Sequence, residues 1–273
     1  ATPYYNTDAI INKAGNIVYT SNINGIVTID VENEGVTNYK LFSHMSMLDK
    51  MFLSCENTLY ISDTSKRTTD NKFMWYLPAI STQKFDYNIT NLHPLSKTEM
   101  GIFFENEITY VTLGEYGYVY TKSKLEVGCK EGGSVITSYD GKYIIFSTSR
   151  GLAYMSYQDF VASNEQTLTY LSDTIQTRYD AFNVSAVKLL TYKYWILCYR
   201  ENNKSLYLLD IRSGTWWKWS YNKPISNIIK FDNDLLILSN HNVYFVNNNY
   251  VDYYDDDDII YWSFTSQRLH FSL

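Results

Sequence analysis

The sequence predicts an all-β protein assembled from repeated small sheets, and three observations predict it. Of 273 residues, 27 are Tyr, 13 Phe and 6 Trp, against eight Ala. Aromatic and β-branched side chains suit pleated, half-buried surfaces, whereas long helices favour Ala, Glu and Lys. Short apolar runs also recur along the chain, each followed by a polar turn and a second apolar run. Finally, charged residues are only 19% of the chain and aromatics 17%, the reverse of a disordered composition. A chain of this length buries roughly 70–75% of its unfolded surface, so it supports a sizeable core.

The paired runs are justified in order. Asn16-Ile17-Val18-Tyr19 turns at Asn24-Gly25 into Ile26-Val27-Thr28-Ile29, and Asn-Gly between two β runs signals a hairpin. Met51-Phe52-Leu53 meets Leu59-Tyr60-Ile61 across Glu56-Asn57. Ile102-Phe103-Phe104 precedes Ile108-Thr109-Tyr110-Val111. Tyr143-Ile144-Ile145-Phe146 turns at Arg150-Gly151 into Leu152-Ala153-Tyr154. Tyr194-Trp195-Ile196-Leu197 turns at Asn202-Asn203 into Leu206-Tyr207-Leu208-Leu209. Leu235-Leu236-Ile237-Leu238 turns at Asn240-His241-Asn242 into Val243-Tyr244-Phe245-Val246.

The first run of each pair begins near residues 17, 51, 100, 142, 194 and 234, a spacing averaging about 43. Recurrence at roughly 40–50 residues predicts a β-propeller of about six four-stranded blades, residues 1–258. One blade cannot bury its own faces, so blades stack around an axis. Evenly spaced hairpins also occur in sandwiches and barrels, the rival architectures. Residues 156–166 open on a short helix capped by Ser156. Residues 259–273 are expected either to leave the propeller for a further β-region or to close it. Ala1-Thr2-Pro3-Tyr4-Tyr5 has no charged or apolar leader pattern, and the full protein is expected to continue beyond one or both ends.

Composition also narrows the function. Net charge is −6 with no basic stripe, which disfavours duplex nucleic acid as a main partner. No apolar run approaches ~18 residues, so no membrane-spanning helix is expected. Cys55, Cys129 and Cys198 are odd in number and widely spaced, which predicts buried thiols in a reducing compartment rather than disulfides. The sequons at Asn88, Asn183 and Asn203 are a chance product of a chain with 24 Asn. G-x-S-x-G, G-x-x-x-x-G-K, H-E-x-x-H and C-x-x-C patterns do not occur, and His44, His93, His241 and His270 are dispersed. The expectation is therefore no enzyme, no cofactor and no metal.

Two features remain as candidate sites. Trp216, Trp217 and Trp219 form the densest aromatic cluster, with Trp217 and Trp219 on one strand face and Trp216 on the other. They suit an interface or glycan stacking, or simple packing between blades. Asp252, Asp255, Asp256, Asp257 and Asp258 form an acidic tract whose consecutive spacing is unlike an alternating Ca²⁺ loop, so a solvated loop is expected. Asp210-Ile211-Arg212-Ser213-Gly214-Thr215-Trp216 is near the S-x-D-x-G-x-T-W turn of bladed sialidases, but its Ser is misplaced and one spacer is missing.

Asp140-Gly141-Lys142-Tyr143-Ile144-Ile145-Phe146-Ser147, then Arg150-Gly151-Leu152, then Leu171-Ser172-Asp173-Thr174-Ile175 form an ordered set. With Trp262-Ser263-Phe264-Thr265-Ser266-Gln267-Arg268-Leu269-His270-Phe271, this set resembles the tail nozzle, or stabilisation, proteins of short-tailed bacteriophages, including crAss-like phages. The similarity covers roughly residues 135–273. It implies a structural role in the virion, in a protein made in the bacterial host cytoplasm. Several copies would form a ring around the DNA channel at the distal end of the tail, in contact with other tail proteins. On that reading the Asp tract faces the lumen, where like charge repels passing DNA without binding it. A glycan- or receptor-binding propeller at the tail tip is the alternative, and a propeller glycoside hydrolase the third.

Overall fold

The computed structural model describes residues 50–61, 82–96, 98–115, 117–182, 187–231, 234–239 and 242–246, and the paired backbone of further strands within 10–45, 66–77 and 254–259. Among the described residues the chain is all-β, in mostly antiparallel sheets, chiefly of three or four strands, with few helices. It divides into two compact units, residues 1–189 and 190–273.

Among the described residues the first unit holds four sheets. The first sheet joins Ile10–Ile11, Ile17–Ser21, Gly25–Val31, Phe73–Leu77 and Lys66–Arg67. The second joins Leu41–Met45, Lys50–Cys55, Thr58–Ile61 and Thr82–Lys84. The third joins Asn91–Pro94, Glu99–Phe103, Ile108–Gly114 and Gly117–Lys122. The fourth joins Val135–Thr137, Tyr143–Ser147, Leu152–Ser156 and Thr169–Tyr170. The expected helix is Tyr157–Val161, and the Ser156 hydroxyl accepts the Asp159 amide as its N-cap.

The second unit carries the fifth sheet, Lys188–Tyr192, Trp195–Tyr199, Asn203–Asp210 and Thr215–Ile225. Its sixth sheet has three strands, Asn227–Phe231, Asp234–Ser239 and Asn242–Val246, and Tyr254–Asp255 pairs with Asp258–Ile259. The expected strand beyond Ile259 lies outside the described residues.

Three sequence expectations need correction. Each run taken as the first strand of a unit is the second strand of its sheet. The strands before them are short, and their apolar residues number only one or two in succession, as in Asn91-Leu92-His93-Pro94 and Val135-Ile136-Thr137, too few to mark a strand. Central strands are apolar because both of their faces are buried. Ser21 pairs with Gly25, so Gly25 already belongs to the second strand of the first hairpin rather than to its turn. The sheets are also not uniformly four-stranded. Phe73–Leu77, from the connection inside the second sheet, crosses to pair in parallel with Gly25–Val31 of the first.

Alternation along one strand shows how neighbouring sheets stack in the first unit. From Glu99–Phe103, Met100 and Ile102 face one way and join Phe52, Leu59, Ile61, Leu92 and Val111. Phe103 faces the other way and joins Tyr110, Ile144, Phe146, Ala153, Met155 and Phe160. The third sheet is therefore a shared layer between two cores. The leading strands of the second, third and fourth sheets lie side by side. Side chains stitch two of them: Asn91 Nδ2 donates to the Gly133 carbonyl at 3.1 Å, and His93 Nε2 lies 2.8 Å from Thr137 Oγ1.

Two positions show how tight this stacking is. At Gly128, in the connection from third to fourth sheet, an added Cβ would lie 2.0 Å from the Phe104 carbonyl oxygen. That same oxygen accepts the Cys129 amide at 2.8 Å. Cys129 is buried, with its thiol pushed up to about 12 by desolvation, and Cys198 is buried likewise, whereas Cys55 at a strand end is half-buried.

Gly128→Ala is expected to cost about 3 kcal/mol or to prevent folding, because the obstacle is backbone. A urea-melt midpoint matching wild type would overturn the close approach. Burial lowers the His93 pKa to about 4. The unfolded chain titrates near 6.5, so it binds more protons than the folded chain in that window. Stability therefore falls as pH drops from about 6.5 to about 4, by ~1.4 kcal/mol per unit from this group. His93→Gln should flatten that slope in urea melts taken across the window, and an unchanged slope would reject the assignment.

Candidate functional site

The Arg150-Gly151-Leu152 and Leu171-Ser172-Asp173 segments, 20 residues apart in sequence, meet in the structure. The chain leaves Leu152–Ser156, makes the Ser156-capped helix and a 3-10 turn at Glu165–Thr167, and returns through Thr169–Tyr170. A second 3-10 turn, Leu171–Ile175, then brings Ser172 under the hairpin. The buried Ser172 hydroxyl accepts the Leu152 amide at 3.0 Å. A Cβ at Gly151 would stand 2.3 Å from Ser172 Oγ, so only glycine admits the hydroxyl there.

Polar contacts close the outside of this clasp. The Arg150 guanidinium lies 4.0 Å over the Tyr170 ring and 3.6 Å from the Asp173 carboxylate. Both charged side chains are exposed, so this pair orients more than it stabilises. Below it, the Thr148 hydroxyl accepts the amides of Arg150 and Gly151 at 3.2 and 3.0 Å. On the inner side, Tyr110 donates to the Phe160 carbonyl at 2.6 Å, and Ser123 and Ser163 hydroxyls meet at 2.8 Å. The helix after the third strand of the fourth sheet is thereby locked to the third sheet.

The tryptophans fall on two faces of one strand, as alternation requires. Trp217 and Trp219 lie opposite Leu208 and Leu206, while Trp216 lies opposite Leu209. Trp219 packs against the core formed by Leu206, Leu208, Ile228, Leu235 and Ile237, between the fifth and sixth sheets. Trp216 is edge-on to Tyr207 at 6.4 Å. Trp217 is 38% exposed. The three do not form a single platform.

The sialidase-like turn serves local structure. Asp210 Oδ1 accepts the Arg212 amide at 2.9 Å and Nε at 3.1 Å, and Oδ2 accepts Nη2 at 2.7 Å. Arg212 thereby holds the Asp210 carboxyl below the usual range, and its guanidinium covers Tyr194 at 4.6 Å. Gly214 closes the turn with φ 67°. Ser138-Tyr139-Asp140-Gly141 is built alike: Ser138 donates to Asp140 Oδ1 at 2.6 Å, and Gly141 has φ 72°.

Sequence reading missed one feature. A cavity of about 370 Å³ opens among the hairpin turns of the second and third sheets, lined by Glu56, Glu105, Glu107 and Glu131 with Tyr87 and Asn88. Glu107 pairs with Lys122. These glutamates are scattered over 76 sequence positions (56 to 131), so no local motif marks them. Among the described residues no group of three or more His, Cys, Asp or Glu is arranged to hold a metal ion. Of the acidic tract, the backbone of Asp255 and Asp258 is paired; Asp252, Asp256 and Asp257 lie outside the described residues.

No family model and no curated protein matches the chain. Solved structures do. One is the extracellular domain of a one-component system from B. thetaiotaomicron, 14% identical, TM-score 0.53, covering 88% of this chain and 32% of that one. The chain thus spans about a third of that protein's length. Another, from Bacteroides uniformis, is assigned as a 6-phosphogluconolactonase, 12% identical, TM-score 0.53, covering 88% of this chain and 76% of that one. At these identities the likeness establishes the fold alone, an all-β, propeller-like architecture.

Ser172→Ala leaves the buried Leu152 amide without its acceptor and should cost about 1–3 kcal/mol. Gly151→Ala should cost at least as much, and the double substitution less than the sum, because removing the hydroxyl clears the space. Strict additivity in thermal melts would show that the two residues do not share one contact.

Proposed function

We propose that this chain is a structural, non-enzymatic component of a bacteriophage tail, a propeller-like subunit of the nozzle or stabilisation ring around the DNA channel. The observation that carries the proposal is the clasp. The residues that resemble the tail proteins converge on one another, Ser172 on Leu152 and Asp173 on Arg150, and spend their chemistry on fixing an insert. Residues used this way define a rigid surface for neighbours to pack on, which is what a ring subunit requires.

On this reading the six larger sheets serve as the blades, and their open strand edges and the clasped insert serve as contact surfaces. Copies of the chain meet through these surfaces, and other tail proteins continue the assembly. A net charge of −6 suits a conduit through which DNA passes without being held. The second reading, a glycan- or receptor-binding tail tip, draws support from Trp217 alone, the exposed member of the tryptophan cluster.

Light scattering and negative-stain microscopy of the purified chain test this reading. Closed rings with a central opening are expected. A monomer that binds immobilised glycans, and loses them on Trp217→Ala, would replace the structural reading with the second one.

A further inference from the structure

We propose that Tyr143 and Tyr154 form a modification site, at which a small one-electron oxidant joins the two phenols, ring carbon to ring carbon, as dityrosine. Both lie in the central hairpin of the fourth sheet. Tyr143 opens the strand Tyr143–Ser147 and pairs with Ser156, while Tyr154 pairs with Ile145 from the returning strand Leu152–Ser156. Side chains alternate along each strand, so the two tyrosines are diagonal neighbours on one face, a separation that aromatic rings span. Their ring centroids are 4.8 Å apart, with 28° between the planes. By contrast, Tyr221 and Tyr244 in the second unit stand edge-on, 6.1 Å apart at 70°.

The surroundings suit this pair to coupling. Burial, and then the hydrogen bond of its hydroxyl to Tyr143, push the Tyr154 phenol up to about 12. At neutral pH that phenol therefore keeps its proton, and electron and proton leave it together. The same hydrogen bond draws the oxygen-bearing ends of the rings together. The carbons that flank those oxygens are where a phenoxyl radical carries its spin. Both side chains are half-buried, so water can take the protons while the rings stay in place. Between them, Ile144 pairs with Met155, and both are buried, which fixes the backbone that carries the two rings. Coupling in such a pair needs no search through conformations.

The step balances without any further reactant. Each phenol gives one electron to the oxidant and one proton to water. The two phenoxyl radicals then join through a carbon beside each oxygen. The hydrogen on each joined carbon moves to its oxygen and restores the phenol. The product is lighter by two hydrogens, and two equivalents of oxidant are reduced. The new bond ties the strand Tyr143–Ser147 to the strand that launches the Ser156-capped helix, at the base of the clasped insert.

The test uses the full chain, dilute and folded, with photo-oxidised tris(bipyridyl)ruthenium as oxidant and persulfate as the electron sink. Dityrosine fluorescence should rise without a doubling of mass on a denaturing gel. Trypsin should then release residues 143–150 joined to residues 151–178, two hydrogens lighter than their sum. Tyr143→Phe and Tyr154→Phe keep the rings and remove one hydroxyl each. Each should lose the joined peptide while circular dichroism stays as in wild type, and Tyr221→Phe should leave its yield unchanged. Absence of the joined peptide, a product of doubled mass only, or a yield no higher than that of a Tyr221–Tyr244 link would overturn the proposal. So would a joined peptide that survives Tyr143→Phe or Tyr154→Phe, or an equal yield in unfolding urea, where closeness in sequence alone would direct the coupling.

Discussion

Everything in this molecule depends on central strands that are apolar on both faces. A lone four-stranded sheet would leave both of those faces in water. Glu99–Phe103 makes the constraint concrete, since Met100 and Ile102 serve one core and Phe103 another. Each such side chain gains about 1.5–3 kcal/mol only when a neighbouring sheet covers it. Sheets of this kind are stable in company, and the stack is the smallest unit that folds.

Stacking alone leaves the leading strand of the third sheet with a second problem, because it is short, carries the buried polar side chains Asn91 and His93, and lies beside the leading strands of its neighbours. Asn91 and His93 solve it by bonding across to Gly133 and Thr137, with the imidazole kept neutral by burial. A buried polar group that is satisfied fixes register where apolar contact alone would permit sliding. The clasp at Ser172 follows the same logic farther out, using one hydroxyl and one glycine to hold an insert in place.

What was legible in the sequence was local. The Glu56-Asn57 turn, the Ser156 cap and the two-faced tryptophan strand each follow from a few adjacent residues, and the structure places all three as read. The leading strands were not legible, because Asn91-Leu92-His93-Pro94 has no period to detect. The glutamate-lined cavity was invisible for a different reason: Glu56 and Glu131 become neighbours only after two sheets have stacked. The Asp210 turn resembled a sialidase turn in outline, yet its carboxylate is held by Arg212, two residues away. A carboxylate in a turn answers first to the nearest donors.

The parallel pairing of Phe73–Leu77 with Gly25–Val31 has a consequence for biosynthesis. During synthesis the Gly25–Val31 strand waits for a partner encoded more than forty residues later, after most of the second sheet has emerged. That strand must therefore stay soluble without its final neighbour until the later one has been made.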